Sequence, residues 1–230
     1  MQSDASRPFG LVCGISLGET MTIRLYDYWR SSAAYRVRIA LNLKAVAYER
    51  VTISLMDGAQ KAADYKAKNP QGFVPMLEVG DLRLTQSLAI IDWLDATYAT
   101  PRFVPADPTA RAAELGKALL IAADIHPINN LRILKYLRHE LGQSQDVVDR
   151  WARHWISEGF AALEALADAN QPFLSGAAPG LADICLIPQM ANARRVDTPL
   201  DAFPKLVAID ARACALPAFA AAHPDAVKPD

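Results

Sequence analysis

The stretch Tyr28-Trp29-Arg30-Ser31-Ser32-Ala33-Ala34-Tyr35-Arg36-Val37-Arg38-Ile39-Ala40-Leu41 joins a strand pattern to a helix pattern through two serines. Upstream, Ile23 and Leu25 alternate with polar residues and lead into the run Tyr26 to Trp29, which predicts a strand. Downstream, Val37, Ala40, Leu41 and Leu43 recur at helical spacing, so a helix is expected to begin at the serines, with Ser31 or Ser32 as N-cap. A helix start presents unpaired N–H groups and roughly half a positive charge, worth about 0.3–1 kcal/mol to an anion placed there. A serine hydroxyl adds a donor. The junction is therefore suited to hold a thiolate, although on this segment alone the serines serve equally as plain caps and Arg30 as a solvated charge.

The chain has 230 residues, enough for one large domain or two small ones, and its pattern favours two. Its 52% apolar content rests largely on alanine and contains no run of about 18 apolar residues, so a membrane span is not expected. Lys and Arg total 24 against 25 Asp and Glu, a balance that gives no broad basic field for nucleic acid or anionic lipid. Small molecules or a second copy of the chain are the expected partners. Cys13, Cys185 and Cys214 are odd in number and widely spaced, and fit neither a disulfide framework nor a zinc pattern. A reducing cytoplasm and no metal site follow as expectations. Residues 1–20 read as a disordered leader or an upstream start before Met21. Arg7 followed by Phe9 to Leu17 only faintly resembles a signal peptide and lacks a clear small-residue cleavage site.

Beyond the first strand and helix, Tyr48 to Ile53 predicts a second strand, and Ala59 to Lys68 a polar-faced helix ending before Asn69-Pro70. Met76 to Val79 and Leu82 to Thr85 flank Gly80-Asp81, a two-residue connection suited to a hairpin. Ser87 to Tyr98 then carries a broad apolar face and predicts a helix packed on the sheet. The order β-α-β-α-β-β-α occupies residues 21–100. Pro101, Pro105 and Pro108 mark a linker over 101–108. Residues 109–230 are helical in pattern, with predicted helices over Thr109 to Leu141, Asp146 to Ala169, Leu181 to Arg194, Leu206 to Cys214 and Pro217 to Ala222.

An α/β unit of this order followed by an all-α unit resembles the cytosolic glutathione transferases, which place a thioredoxin-like domain before a helical one. Five motifs narrow the resemblance to the zeta class. They are the serine-containing segment Ser31 to Leu41, Asn69-Pro70-Gln71-Gly72-Phe73-Val74-Pro75, Gln86-Ser87-Leu88-Ala89-Ile90-Ile91, Asp124-Ile125-His126-Pro127-Ile128-Asn129-Asn130, and Leu181 to Arg195. The resemblance spans Met21 to about Pro224 and includes the maleylacetoacetate and maleylpyruvate isomerases. The stretch Asp124 to Arg138 is most similar to the bacterial maleylpyruvate type.

The resemblance implies glutathione as a cofactor that is not consumed: its thiolate adds to a cis double bond, lets the bond rotate, and leaves the trans isomer. Ser31 is then expected to donate to the sulfur, whose free pKa near 8.5 must fall; each unit of lowering requires about 1.4 kcal/mol of preference for the thiolate. Val74-Pro75 is expected to be the cis-proline pair of the thioredoxin-like fold, with Val74 offering backbone groups to the cysteinyl unit. Gln86 and Ser87 fall at a helix start fit for the γ-glutamyl carboxylate, Gln71 is a candidate for the glycyl end, and His126 and Asn130 are implied glutathione contacts. A dicarboxylate substrate on which negative charge develops calls for cations, and Arg30, Arg132 and Arg195 are the candidates, with Arg194 competing with Arg195. His126, Asn130 and Arg132 are expected on one helix, sharing a face. Arg36 and Arg38 are read as ties between the first helix and its neighbours or a partner subunit.

Two departures from the family pattern stand out. Ala33 occupies the place of a cysteine common in zeta proteins, which argues against a protein thiol as nucleophile and leaves Cys185 and Cys214 as packing residues. Gly180 stands three residues before Asp183, where a Ser or Thr would complete a capping box, so only half of that reciprocal bonding is expected. A homodimer is implied. Competing readings are a transferase that leaves glutathione on small electrophiles such as α-haloacids, and a glutathione-binding protein without turnover.

Overall fold

A computed structural model describes residues 22–229; the expectations for residues 1–20, Cys13 and Met21 lie outside the described residues. Four strands, β1 (Ile23–Asp27), β2 (Glu49–Thr52), β3 (Met76–Val79) and β4 (Leu82–Thr85), form one mixed sheet in the order β2-β1-β3-β4. β1 runs parallel to β2 and antiparallel to β3, and β3 pairs antiparallel with β4 from Met76↔Thr85 to Val79↔Leu82. The hairpin thus closes through Gly80-Asp81, as predicted. β1 is central and covered on both faces, so Tyr26 and Asp27 are buried along with Ile23 and Leu25. It ends two residues earlier than predicted. Tyr28, Trp29 and Arg30 form a turn in which the Ser31 N–H donates to the Tyr28 carbonyl at 2.8 Å.

Helix α1 (Ser32–Leu43) is buried from Ala34 through Leu41, hemmed in by α3 (Ser87–Thr97), α8 (Leu181–Arg195) and α10 (Pro217–Ala222). Burying a polar side chain is costly unless it is partnered, and α1 contains two fully buried arginines, of which Arg38 is paired. Arg38 Nη1 meets the buried Asp27 carboxylate at 2.6 Å, while its other nitrogens donate to the carbonyls of Ala222 (2.9 Å) and Trp29 (3.1 Å). Arg50 takes the second Asp27 oxygen at 2.9 Å and donates to the Val227 carbonyl at 2.9 Å. Asp27 therefore ties β1 to α1, β2 and α11 (Pro224–Val227), a short terminal helix absent from the predicted set.

The predicted helix over Ala59 to Lys68 is two pieces, a 3₁₀ turn at Ala59–Lys61 and α2 (Ala63–Lys68), because Ala62 adopts an extended conformation between them. Residues 98–107 connect α3 to the next helix, which begins at Pro108. At the end of α1, the Lys44 ammonium lies 2.8 Å from Asp95, donates to the carbonyls of Tyr98 and Pro101, and sits 4.4 Å from the ring centroid of buried Phe103.

The predicted helix over Thr109 to Leu141 is likewise interrupted. α4 (Pro108–Leu119) passes through a π-helical turn (Leu120–Ile125) into a single turn, α5 (His126–Ile128), and a new helix, α6 (Leu131–His139), starts after Asn130. α7 (Gln145–Leu166), α8 and α9 (Pro204–Cys214) complete the helical part, and the main apolar core runs without a gap from the sheet into α7, α8 and α9.

The start of α8 shows how the incomplete capping box is compensated. Asp183 accepts from the N–H groups of Gly180, Leu174 and Ser175, while the role of the missing cap hydroxyl passes to buried Glu114 of α4, whose Oε1 accepts from the Ala182 N–H at 2.7 Å. A Cβ on Gly180 would lie 2.8 Å from that oxygen and 2.7 Å from Ser175 Oγ. Gly180→Ser, which restores the consensus cap residue, is therefore expected to lower stability by about 1–2 kcal/mol in urea unfolding; a gain in stability would contradict this substitution of caps. Asp27→Ala strands the buried Arg38 charge and should cost about 3–5 kcal/mol in the same measurement, whereas a loss under about 1 kcal/mol would show that Asp27 is not the tie described.

Candidate active site

The turn after β1 and the first residue before α1 form one wall of the site. Ser31 caps α1, its Oγ accepting from the Ala34 N–H at 3.2 Å, so the hydroxyl proton points elsewhere. The Trp29 carbonyl is held by Arg38, and the Trp29 ring lies between two cations, the Arg30 guanidinium at 5.4 Å and the Lys228 ammonium at 5.5 Å.

A second wall is the segment 69–75. Buried Asn69 organises it: its Nδ2 donates to the Phe73 carbonyl at 2.8 Å and its Oδ1 accepts from the Gln71 N–H at 3.2 Å. Gly72 has φ +65°, and a Cβ there would meet the Gln60 carbonyl at 2.7 Å. The Val74-Pro75 bond is cis, as expected, and no hydrogen bond to the Val74 N–H or C=O is formed among the described residues. The start of α3 is the third wall. Gln86 precedes the helix with φ +67° and its Nε2 donates to Gln71 Oε1 at 2.6 Å, which brings these two predicted residues together. Ser87, the first helical residue, is buried and accepts from Arg36 Nη1 at 3.4 Å.

The helical part supplies the fourth wall. Arg195, the last residue of α8, donates from Nη1 to the Arg30 carbonyl at 3.3 Å, which bonds it to the turn bearing Arg30 and Ser31. Arg194 turns the other way and pairs with Asp210 of α9 at 2.6 Å, which separates the two competing arginines. Arg195 is steadied by Asn192, whose Nδ2 donates to Asn129 Oδ1 at 3.0 Å, and Asn129 in turn donates to the Ile125 carbonyl at 2.7 Å. Burial, and secondly the charge of Arg30, pull the Arg195 pKa below the usual arginine value.

The expectation that His126, Asn130 and Arg132 share one helix is corrected. Asn129 turns its amide inward, the helix stops, and Asn130 caps α6 by accepting from the Arg132 N–H at 3.2 Å. His126 Nε2 and Asn130 Nδ2 still meet at 3.3 Å across the break. Burial, then the charges of Arg36 and Arg195, push His126 down to about 3, so its imidazole is neutral at any ordinary pH. Arg132 is exposed, with its guanidinium 5.4 Å from the Phe73 ring centroid, on the rim beside the 69–75 segment. Burial pushes both Cys185 and Cys214 up to about 11, which keeps these thiols protonated.

Asn69, Asn129 and Asn192 escaped the sequence reading although each lies inside a quoted motif. Asn192 was the most accessible of them, since its i, i+3 spacing to Arg195 puts both on one face of α8. Asn69 and Asn129 act through backbone carbonyls, for which the sequence offers no signal.

Residues 21–96 match the family model described as glutathione S-transferase, N-terminal domain. The chain is 49% identical to a probable maleylacetoacetate isomerase of Vibrio cholerae over 89% of this chain and 97% of that protein. Among solved structures, a holo maleylpyruvate isomerase, a bacterial zeta-class glutathione transferase, superposes with a TM-score of 0.87 at 42% identity, covering 89% of this chain and 98% of that one. A maleylacetoacetate isomerase from Methylobacterium extorquens AM1 with bound malonate and glutathione superposes with a TM-score of 0.85 at 38% identity, covering 88% and 97%. Geometry and likeness agree over the whole described fold: the chain belongs to the zeta-class glutathione transferases, in the family of maleylacetoacetate and maleylpyruvate isomerases.

Proposed function

We propose that this chain is a glutathione-dependent cis–trans isomerase acting on maleylpyruvate, or on its longer analogue maleylacetoacetate, in the breakdown of aromatic compounds. The observation that carries this reading is that Arg195 of the helical part bonds to the turn bearing Arg30 and Ser31. Neither guanidinium is paired with a carboxylate among the described residues, and Ser31 stands at a helix start. The bound malonate and glutathione of the Methylobacterium relative support a site that takes a dicarboxylate beside the tripeptide.

The residues fit glutathione. Val74 offers an unused N–H and C=O beside a cis proline, the pairing surface an extended peptide needs. Ser87 and the first N–H groups of α3 suit the γ-glutamyl carboxylate, with Gln86 alongside, and Gln71, hydrogen-bonded to Gln86, is the candidate for the glycyl end. His126 and Asn130 add neutral donors and acceptors. When bound, glutathione supplies a thiolate that adds to the cis double bond, permits rotation and departs.

Ser31 Oγ, already accepting from Ala34, has its proton free to donate to the sulfur, and the α1 start adds its partial positive charge. A charge-assisted hydrogen bond of about 1.5–3 kcal/mol plus a helix-end contribution of about 0.3–1 kcal/mol lowers the thiol by roughly one to three units, enough to populate the thiolate near neutrality. Arg30 and Arg195 hold the substrate carboxylates and oppose the negative charge that develops on its oxygens, and Arg132 stands at the rim. Two cations side by side repel one another until an anion lies between them, which favours a diacid over a neutral electrophile. We further infer a homodimer located in the cytoplasm, with a glutathione-binding domain over 21–100, a linker over 101–108 and a substrate-binding domain over 109–230. Among the described residues no helix is long and apolar enough to cross a membrane.

Arg195→Ala tests the reading. Isomerisation of maleylpyruvate should fall in kcat/KM by about a hundredfold, while conjugation of glutathione to an uncharged electrophile falls less than about threefold. Equal losses would remove the carboxylate clamp and favour a general conjugating transferase.

A further inference from the structure

Arg36, Arg38 and Lys44 are the buried cations of the described structure. Arg38 has Asp27 at 2.6 Å and Lys44 has Asp95 at 2.8 Å. Arg36, 2% exposed, has no carboxylate within ion-pair range among the described residues, and its Nε and Nη2 are buried without a hydrogen-bond partner. An uncompensated buried guanidinium is among the most unfavourable features a fold can carry. Its one polar contact among the described residues is Nη1 donating to Ser87 Oγ at 3.4 Å, at the first residue of the 11-residue helix α3. The flanking Gln86 is held at φ +67°, a backbone region that non-glycine residues rarely adopt and that clusters at ligand sites. Cys185 and His126 are titratable groups near Arg36, both neutral, so no anion among the described residues offsets the charge.

We propose that Arg36 is the buried counter-charge for the γ-glutamyl carboxylate of glutathione, a positioning residue that acts through Ser87 and makes the site selective for an anionic γ-glutamyl end. The inference rests on the reading of the α3 start as the glutathione site. Because Ser87 Oγ accepts from Arg36, its own proton is turned away from the guanidinium and left to donate to the carboxylate. A cation behind the hydroxyl strengthens that donation, and in a dry interior its attraction for the carboxylate is weakly screened. A peptide lacking the carboxylate receives neither effect. The fold thus keeps one cation unpaired because its partner arrives with the cofactor.

The test compares calorimetric binding of glutathione and of γ-aminobutyryl-cysteinyl-glycine, which lacks only that carboxylate, to the full chain, to Arg36→Met and Arg36→Lys, and to Ser87→Ala alone and combined with Arg36→Met. Wild type should prefer glutathione by on the order of a hundredfold. Arg36→Met should weaken glutathione about ten- to a hundredfold, leave the analogue within about twofold, and leave the unliganded Tm unchanged or raised, because it removes an unpaired buried charge. In turnover the loss should appear in KM for glutathione rather than in kcat. Arg36→Lys should retain part of the preference, and Arg36→Met should weaken glutathione binding by a smaller factor once Ser87 is alanine than it does alone. Wild-type preference preserved in Arg36→Met, equal loss of both peptides, or failure of both Arg36 variants to fold would overturn the inference and make Arg36 a packing residue. Wild type binding neither peptide would overturn the glutathione site itself; wild type binding both equally would overturn this inference alone.

Discussion

The Asp27 carboxylate, fully buried at the end of the central strand, is shared by Arg38 and Arg50, and much of the molecule is arranged around it. Each guanidinium completes its bonding on backbone carbonyls from elsewhere: Trp29 in the turn before α1, Ala222 at the end of α10, and Val227 in α11. One anion thus fixes the exit of β1, the turn that presents Arg30 and Ser31, and the path of the last helices. Desolvating this cluster is costly, and good geometry with nearly full satisfaction of the donors is what makes it tolerable. The rigidity has a direct chemical use. The carbonyl of Arg30, which anchors Arg195, is part of the same turn, so the spacing between the two site cations depends on a carboxylate that never touches substrate.

Positive charge is handled in two ways among the described residues. Structural cations, Arg38 and Lys44, are paired within the fold. Cations and dipoles facing the site are left without carboxylates: Arg30, Arg195 and, behind Ser87, Arg36. Unpaired positive charge concentrated in one place favours anionic ligands, here a dianionic substrate and a peptide with carboxylates at both ends. Burial, and secondly this positive charge, hold His126 neutral, which leaves the imidazole as a hydrogen-bonding group rather than a charge.

What the sequence disclosed divides along the range of the interactions. The Ser31 cap and the Gly80-Asp81 hairpin follow from short patterns, and the cis Val74-Pro75 bond from the family resemblance, and each is found as expected. Strand β1 stops at Asp27, where the chain turns, and the helices break at Ala62, which is extended, and at Asn130, which caps α6; these are local backbone features that periodicity does not register. The replacement of a cap hydroxyl by Glu114 is of another kind, since two distant segments must meet before the substitution makes sense. In the site, Arg30, Ser31 and Arg195 were readable as residue types in motifs, but the choice between Arg194 and Arg195 depends on which side of the last turn of α8 faces the β1 exit. Arg36 was read as a tie between helices, and only its missing counter-ion sets it apart from Arg38 two residues on.

The most direct measurement is isomerisation of maleylpyruvate with glutathione far below the substrate concentration, coupled to a hydrolase that cleaves only the trans product, and repeated with maleylacetoacetate. The account predicts many turnovers per glutathione, with the tripeptide recovered unchanged. Consumption of glutathione in step with a stable conjugate, or no turnover with either substrate, would contradict it.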